Sequence, residues 1–440
     1  DYLSGENVSA IATQHPKNIN SMTGNAKLLS CNEQKQDSDC YIVFKGRFTT
    51  QNDAVITDYA QSSKMHQMLR WLIANYGYAV DTQVVVTWAV DKDTEVKAKP
   101  QDDSFDLFGD METTKTSADL ISEAKTQVYG DYAAKLNNLL RGMGKAESLE
   151  KHARKICIAV FDAATTGRMG LVFYRELAEN EYLESIADWH NDTSYYLSSW
   201  KKDGKDEKGK DKKTLIHYIG APSYDDIIFA VYGKGRGDKG YDTLKKKIRK
   251  QLLECMFGSF NFPKSMVEMA ASRVSNPMSY DVDWKKEENK SFYNENDWTR
   301  AIGISCALVR KYFKQQKEEI ALELDTKRTD RDYLFGRLLS VADRLESKAL
   351  YKAEVKRPTN AVKLMSAFQF KPFSTWGLIF NQLIPYKTQL NGAWYYQSVI
   401  DEIMTLFQNN DFENNAPLSP LYLLGYSAQN RAFMKHNDNE

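Results

Sequence analysis

Residues 330–350, DRDYLFGRLLSVADRLESKAL, place Leu334, Leu338, Val341 and Leu345 at intervals of four, three and four. Those intervals return to one side of a 3.6-residue turn, so the stretch predicts a helix with a continuous apolar stripe. The same period runs through the chain from Asp297 onward. Helices are expected near Asp297–Gln316, Asp330–Leu350, Pro358–Gln369, Pro372–Leu390, Gly392–Gln408 and Pro420–His436. Pro358, Pro372 and Pro420 stand at helix starts, where a missing N–H costs little. Short connections predict antiparallel neighbours, so residues 297–440 read as a helical bundle.

Upstream the periods are mixed. Cys40–Phe44 and Thr82–Val90 are β-branched and aromatic, whereas Ala60–Tyr76 has helical spacing through Met65, Leu69, Leu72 and Ile73. Ile156–Phe161 and Leu171–Tyr174, joined through a turn at Thr165–Arg168, predict a β-hairpin. Residues 1–296 are therefore expected to form an α+β platform, giving an α+β fold class overall. Two charged stretches interrupt it. Residues 101–123 hold seven acids (Asp102, Asp103, Asp106, Asp110, Glu112, Asp119, Glu123) against Lys115, which predicts a solvated insertion. Residues 200–213, WKKDGKDEKGKDKK, lack the apolar surface to offset ordering entropy and predict a mobile loop.

The 440 residues are 42% hydrophobic and 27% charged, ordinary globular values that exclude disordered, collagen-like and membrane-embedded classes. With 59 basic and 59 acidic side chains, any pull toward a polyanion must be local. Cys31, Cys40, Cys157, Cys255 and Cys306 make no CxxC or Cys/His quartet, which fits a reducing cytoplasm and no structural metal. No apolar run approaches the roughly 18 residues of a membrane span, so no membrane partner is expected. The first residue is Asp1, which suggests a trimmed product.

Positive charge gathers in two places. Lys234–Lys250 carries Lys234, Arg236, Lys239, Lys245, Lys246, Lys247, Arg249 and Lys250 against two acids. Inside it, Gly235–Gly240 (GRGDKG) is a literal GxGxxG between an apolar stretch, Ile227–Tyr232, read as a strand, and a helix over Tyr241–Phe257 with Glu254 as a late acid. That is the setting of a dinucleotide fingerprint, but no second strand closes a βαβ unit. The helix is also lysine-rich outside its Tyr241, Leu244, Ile248, Leu252, Cys255 stripe. The cluster could neutralise several phosphates, or it could be a solvated face. The second concentration, Arg300–Lys371, holds sixteen basic and nine acidic residues. There Arg337, Arg344 and Lys348 fall on one line beside the Leu334 stripe and could track a strand, or pair with Asp343, Glu346 and other acids.

Catalytic patterns are sparse. His15, His66, His152, His190, His217 and His436 show no HxxxH spacing, and neither a GxSxG elbow nor a phosphate loop occurs. Asp188–Asp192 (DWHND) is the one compact acid–imidazole cluster and reads as a surface loop. No catalytic, metal-binding or cofactor-binding residue is assigned. Trp394, Tyr395 and Tyr396 could stack on unpaired bases but are expected in the bundle core.

Three stretches, Ala12–Asn32 (ATQHPKNINSMTGNAKLLSCN), Asp332–Asp343 (DYLFGRLLSVAD) and Tyr422–Arg431 (YLLGYSAQNR), together resemble the large subunit of the type I-C CRISPR surveillance complex, the Cas-eight-c or Csd-one family. The similarity runs along the whole chain in order. It implies a non-enzymatic subunit of an RNA-guided Cascade complex that helps open target DNA, engages the displaced strand and presents a surface to a recruited helicase-nuclease. It also implies guide RNA, target DNA and the backbone, guide-processing and small subunits as partners. The terminal bundle would be small-subunit-like, with Met256, Met266 and Met278 as candidate internal starts. Family members are longer at the N-terminus, so no residue is assigned to protospacer-adjacent motif recognition. Ser427 replaces an aromatic, Asn430 separates Gln429 from Arg431, and a Ser-Asn-aromatic-Tyr-Gly stretch is replaced around Glu33–Asp39. Two rivals remain at this stage: a dinucleotide-dependent oxidoreductase built on Gly235–Gly240, and a helical protein-interaction adaptor.

Overall fold

A computed structural model describes the chain apart from residues 2–3, 8–9, 21–22, 30–34, 37–39, 42–54, 91–95, 112–133, 137, 139–154, 206–210, 236–238, 259, 281–293 and 438–440. The strands are β1 (Lys35–Gln36), β2 (Cys40–Tyr41), β3 (Gly77–Val80), β4 (Gln83–Ala89), β5 (Lys155–Thr165), β6 (Arg168–Ala178), β7 (Tyr195–Lys205) and β8 (Asp211–Gly220). The first helices are α1 (Tyr59–Tyr76), α2 (Ser104–Met111), α3 (Glu179–Asp192), α4 (Tyr224–Tyr232), α5 (Lys239–Phe257) and α6 (Lys264–Val274). The terminal series is α7 (Glu295–Gln315), α8 (Arg331–Lys352), α9 (Asn360–Phe370), α10 (Pro372–Gln389), α11 (Ala393–Leu406) and α12 (Leu421–Asn437). The α+β class is thus realised, and the terminal helices stand where their period placed them. Of the expected strand at Cys40–Phe44, Cys40–Tyr41 pairs with β1, and the rest lies outside the described residues.

The chain forms two compact units, each built from separate segments. Unit 1 comprises residues 1–99, 144–184 and 236–257; unit 2 comprises 100–143, 185–235 and 258–440. The 296/297 boundary lies inside unit 2.

Unit 1 is an antiparallel sheet in the order β3-β4-β5-β6. Its core sets Leu69 and Leu72 of α1 against Val84, Val86, Ala159 and Phe161 of the sheet. Alternation along β4 and β5 supplies those side chains, and α1 covers them because its Leu69–Leu72 face recurs at helical period. On α5, Ile248, Arg249, Leu252, Leu253, Met256 and Phe257 are the buried positions.

In unit 2, α8 lies at the centre. Leu334, Leu338, Leu339, Val341 and Leu345 are all fully buried, each worth on the order of 2 kcal/mol of transfer free energy. It crosses α12 at a glycine pair. A Cβ on Gly336 would sit on the Tyr422 carbonyl oxygen, and one on Gly425 on the Tyr333 carbonyl oxygen. Only hydrogen side chains permit two helix backbones to approach that closely. Near the crossing, Arg337 Nε donates to Gln429 Oε1 at 2.9 Å and the Tyr426 hydroxyl to Asp343 Oδ2 at 2.6 Å. The Asp332–Asp343 and Tyr422–Arg431 stretches are therefore each other's contact. At Gly303 of α7, a Cβ would lie 2.6 Å from the Tyr196 carbonyl oxygen of β7, so this glycine seats α7 on the β7–β8 hairpin.

Five local expectations are corrected. Ile227–Tyr232 is not a strand but the body of α4, because Ser223 and Asp226 form a reciprocal capping box that starts a helix and outweighs the β-branched content. Residues 200–205 and 211–213 are not a loop but belong to β7 and β8, with Trp200 opposite Leu215 and Lys202 opposite Lys213, while residues 206–210 lie outside the described residues. The DWHND cluster is the last turn of α3, not a surface loop. Its His190 is fully buried, with Nδ1 2.8 Å from Ser104 Oγ, and burial pushes its pKa down to about 3. In the acidic run Asp103 is buried rather than solvated and accepts from Lys201 Nζ at 2.6 Å, Asp106 accepts from the same lysine at 2.8 Å and is exposed, and residues 112–123 lie outside the described residues. Trp394 is 75% exposed, not core, whereas Tyr396 is buried.

Candidate nucleic-acid interface

The first cationic tract divides by helical phase. Arg249 points inward between Ile248 and Leu252, and its Nη2 donates to the Tyr78 hydroxyl at 2.9 Å, with the guanidinium 4.6 Å above the Tyr78 ring. Lys246 reaches the β3–β4 turn, donating to Thr82 Oγ1 at 2.7 Å and pairing with Asp162 at 3.2 Å and Asp81 at 3.3 Å. Neither is available to a phosphate, and both leave the candidate set. Lys250 pairs with Glu254 one turn on, at 3.6 Å. Lys234, in unit 2, is ion-paired with Asp297 at the start of α7. Arg236 lies outside the described residues. Lys239 and Lys247 are exposed, and Lys245 lies 4.9 Å over the Tyr241 ring. These last three have no carboxylate partner among the described residues. The dinucleotide reading loses its premise here, because the glycine loop follows helix α4 where that fold needs a strand.

The second tract is dispersed as well. Arg337 is 1% exposed, bound to Gln429 and to Glu402 at 3.2 Å, and so is structural rather than strand-tracking. The reason is that the first half of α8 is buried on every side, which a single apolar stripe does not reveal. Lys348 lies 5.7 Å over the Tyr396 ring. Arg344 alone of the three lines an open cleft.

That cleft, of about 880 Å³, is walled by β7, β8, α7, α8, the segment leading into α9, and α12. Arg344, Lys356, Arg357 and Arg431 line it, against Glu295 and Asp343. Asp343 is occupied: Thr359 and Tyr426 both donate to it at 2.6 Å, and burial raises its pKa despite those bonds. Arg357 is bound to fully buried Glu346 at 2.7 Å and to the Tyr386 hydroxyl at 2.6 Å. Arg344, Lys356 and Arg431 have no carboxylate partner among the described residues. The Nε atoms of Arg344 and Arg431 are shielded from solvent with no hydrogen-bond partner among those residues. The Arg431 guanidinium stacks 3.1 Å over the Tyr196 ring. Burial, then a hydrogen bond to Glu323, pushes the Tyr196 hydroxyl up to about 12, while partial burial and the Arg431 charge lower His217. The wall is thus cationic and aromatic, suited to a flat anion.

Sequence reasoning placed Arg344 but missed Lys356, Arg357, Arg431 and Tyr196 as neighbours. Arg431 closes one of the resemblance stretches, and Ser427 and Asn430, the two departures from the family pattern, line the same cleft. Nothing local marks Tyr196. Among the described residues no group of three His, Cys, Asp or Glu side chains could hold a metal ion. Nor is any helix among them long and apolar enough to cross a membrane.

A family model described as CRISPR-associated protein (Cas_Csd1) matches residues 1–434, so the chain belongs to that family. No curated protein matches it.

Proposed function

We propose that this CRISPR-associated chain is the non-catalytic large subunit of a type I-C, RNA-guided Cascade complex in antiviral defence. In this reading it holds target DNA and the displaced strand by electrostatic contact while the guide reads sequence by base pairing. It works beside the backbone, guide-processing and small subunits in the cytoplasm and offers a surface to a recruited helicase-nuclease. The family match over residues 1–434 carries the reading. It is supported by the cations without carboxylate partners, Lys239, Lys245 and Lys247 in unit 1 and Arg344, Lys356 and Arg431 in unit 2. Strand exchange against a guide is nearly balanced in free energy, so a few backbone contacts suffice to tip it.

The test is reconstitution with guide RNA and the other subunits, followed by permanganate footprinting of target DNA. Unpaired thymines are expected with the chain present and not without it. Equal opening without the chain, or salt-insensitive assembly with no DNA contact, refutes the reading, and the second result would establish a protein adaptor. Cleavage of DNA by the purified chain with a divalent metal refutes the non-catalytic part.

A further inference from the structure

We propose that the unit 2 cleft is a binding site for a single unpaired nucleotide, its phosphate held by Arg344 and Arg431 and its base laid against the cleft's exposed tyrosine. This deepens the proposed function, on which it rests for the source of the strand.

Three observations carry it. Arg344 and Arg431 enter from different helices, α8 and α12, and neither is in an ion pair with a carboxylate among the described residues, Asp343 acting on Arg344 only through its longer-range charge. Two guanidinium groups without an ion-pair partner in a concave wall are complementary to a phosphate, which accepts several planar N–H donors at once. Second, the wall offers flat surfaces. The Arg431 guanidinium lies over the Tyr196 ring, and Tyr351 in the lining is 88% exposed, which leaves its ring open to a planar partner. An acidic peptide would use the charges but not the rings, whereas a base uses both. Third, the cleft's 880 Å³ lies in the range of roughly 300–1,000 Å³ of sites that surround a small ligand. A duplex is too broad to enter, so the nucleotide must be extruded or single-stranded. Of the cleft's two acids, Asp343 is taken by Thr359 and Tyr426, and Glu295, exposed at the start of α7, is in no ion pair with either arginine.

The experiment is fluorescence anisotropy on the full chain with labelled oligothymidylate, an abasic strand of equal length and a mixed-sequence duplex, with polyglutamate as competitor. Arg344→Gln and Arg431→Gln should each weaken thymidylate binding about tenfold and flatten its salt slope by about 0.7. Tyr351→Ala should cost about tenfold on thymidylate and nothing on the abasic strand. Because Tyr351 is so exposed, that variant folds normally even if an arginine variant does not. Lys247→Ala, in the other unit, should leave the thymidylate-to-abasic ratio unchanged. Equal affinity for the abasic strand overturns the proposal, as does unaltered binding by the arginine and tyrosine variants or equally effective displacement by polyglutamate. If those variants bind as the native chain does and still support target opening in the assembled complex, this inference fails while the proposed function stands.

Discussion

Replacing Gly336 with alanine tests the α8–α12 crossing by the sign of the change alone. In an exposed helix interior the substitution would stabilise by about 1 kcal/mol, because alanine loses less backbone entropy. Here the new Cβ would meet the Tyr422 carbonyl oxygen well inside contact distance, with the Tyr422 carbonyl carbon at 2.8 Å and the Tyr426 nitrogen at 2.9 Å. All three are backbone atoms, so no rotamer change relieves the clash and the helices must separate. Overpacking of this kind costs about 1–3 kcal/mol. Separation also loosens the Arg337–Gln429 and Tyr426–Asp343 hydrogen bonds, worth roughly 1 kcal/mol each. The net is a loss of about 2–4 kcal/mol, or a fall in melting temperature on the order of 10 °C. Gly425→Ala should do the same, and the double variant should lose less than the sum, since both act on one crossing. Thermal melts followed by circular dichroism measure this. A midpoint unchanged or raised in either single variant would show that the helices do not meet there.

Neighbouring lysines on α5 should behave oppositely. Lys246→Ala, which takes the ammonium away from Asp81 and Asp162, should cost about 1–2 kcal/mol in denaturant unfolding, whereas Lys247→Ala should stay within about 0.5 kcal/mol yet reduce the salt slope of DNA binding by close to 1. Equal effects from the two would contradict the helical phase described. Because burial holds His190 near 3 against 6.5 when exposed, its contribution is fully present above pH 6.5 and is lost as pH falls toward 3. His190→Asn should therefore flatten the stability profile across that window, and an unchanged acid limb would place His190 in solvent. Glu346→Ala should destabilise by about 3 kcal/mol, since it leaves Arg357 and the Asn360 amide without their buried acceptor. A melt within 1 °C of the native chain would count against that pairing.

What the sequence reveals is what depends on near neighbours. The stripe Leu334, Leu338, Val341, Leu345 is a local signal, and α8 lies where it indicates. The glycines in the Asp332–Asp343 and Tyr422–Arg431 stretches were visible, but their meaning needed each other across the fold. Arg337 and Arg249 were misread for one reason. A buried cation depends on a distant partner, Gln429 in one case and Tyr78 in the other, and a charge pattern carries no trace of it. The lysine-rich arms of β7 and β8 were hidden because strand pairing is nonlocal. For Ile227–Tyr232 the local signal existed, since Ser223 and Asp226 stand at capping-box spacing.

The chain passes between its two units after residues 99, 143, 184, 235 and 257. A ribosome delivers β3 to β6 well before α5, which supplies Arg249 to Tyr78 and Lys246 to Asp162. At about 5–20 residues per second, the nascent sheet waits several seconds for its closing helix. During that interval its carboxylates have no lysine and its Tyr78 ring no guanidinium. The sheet of unit 1 is thus finished only after residues 185–235 of unit 2 have also emerged, and it must stay soluble until then.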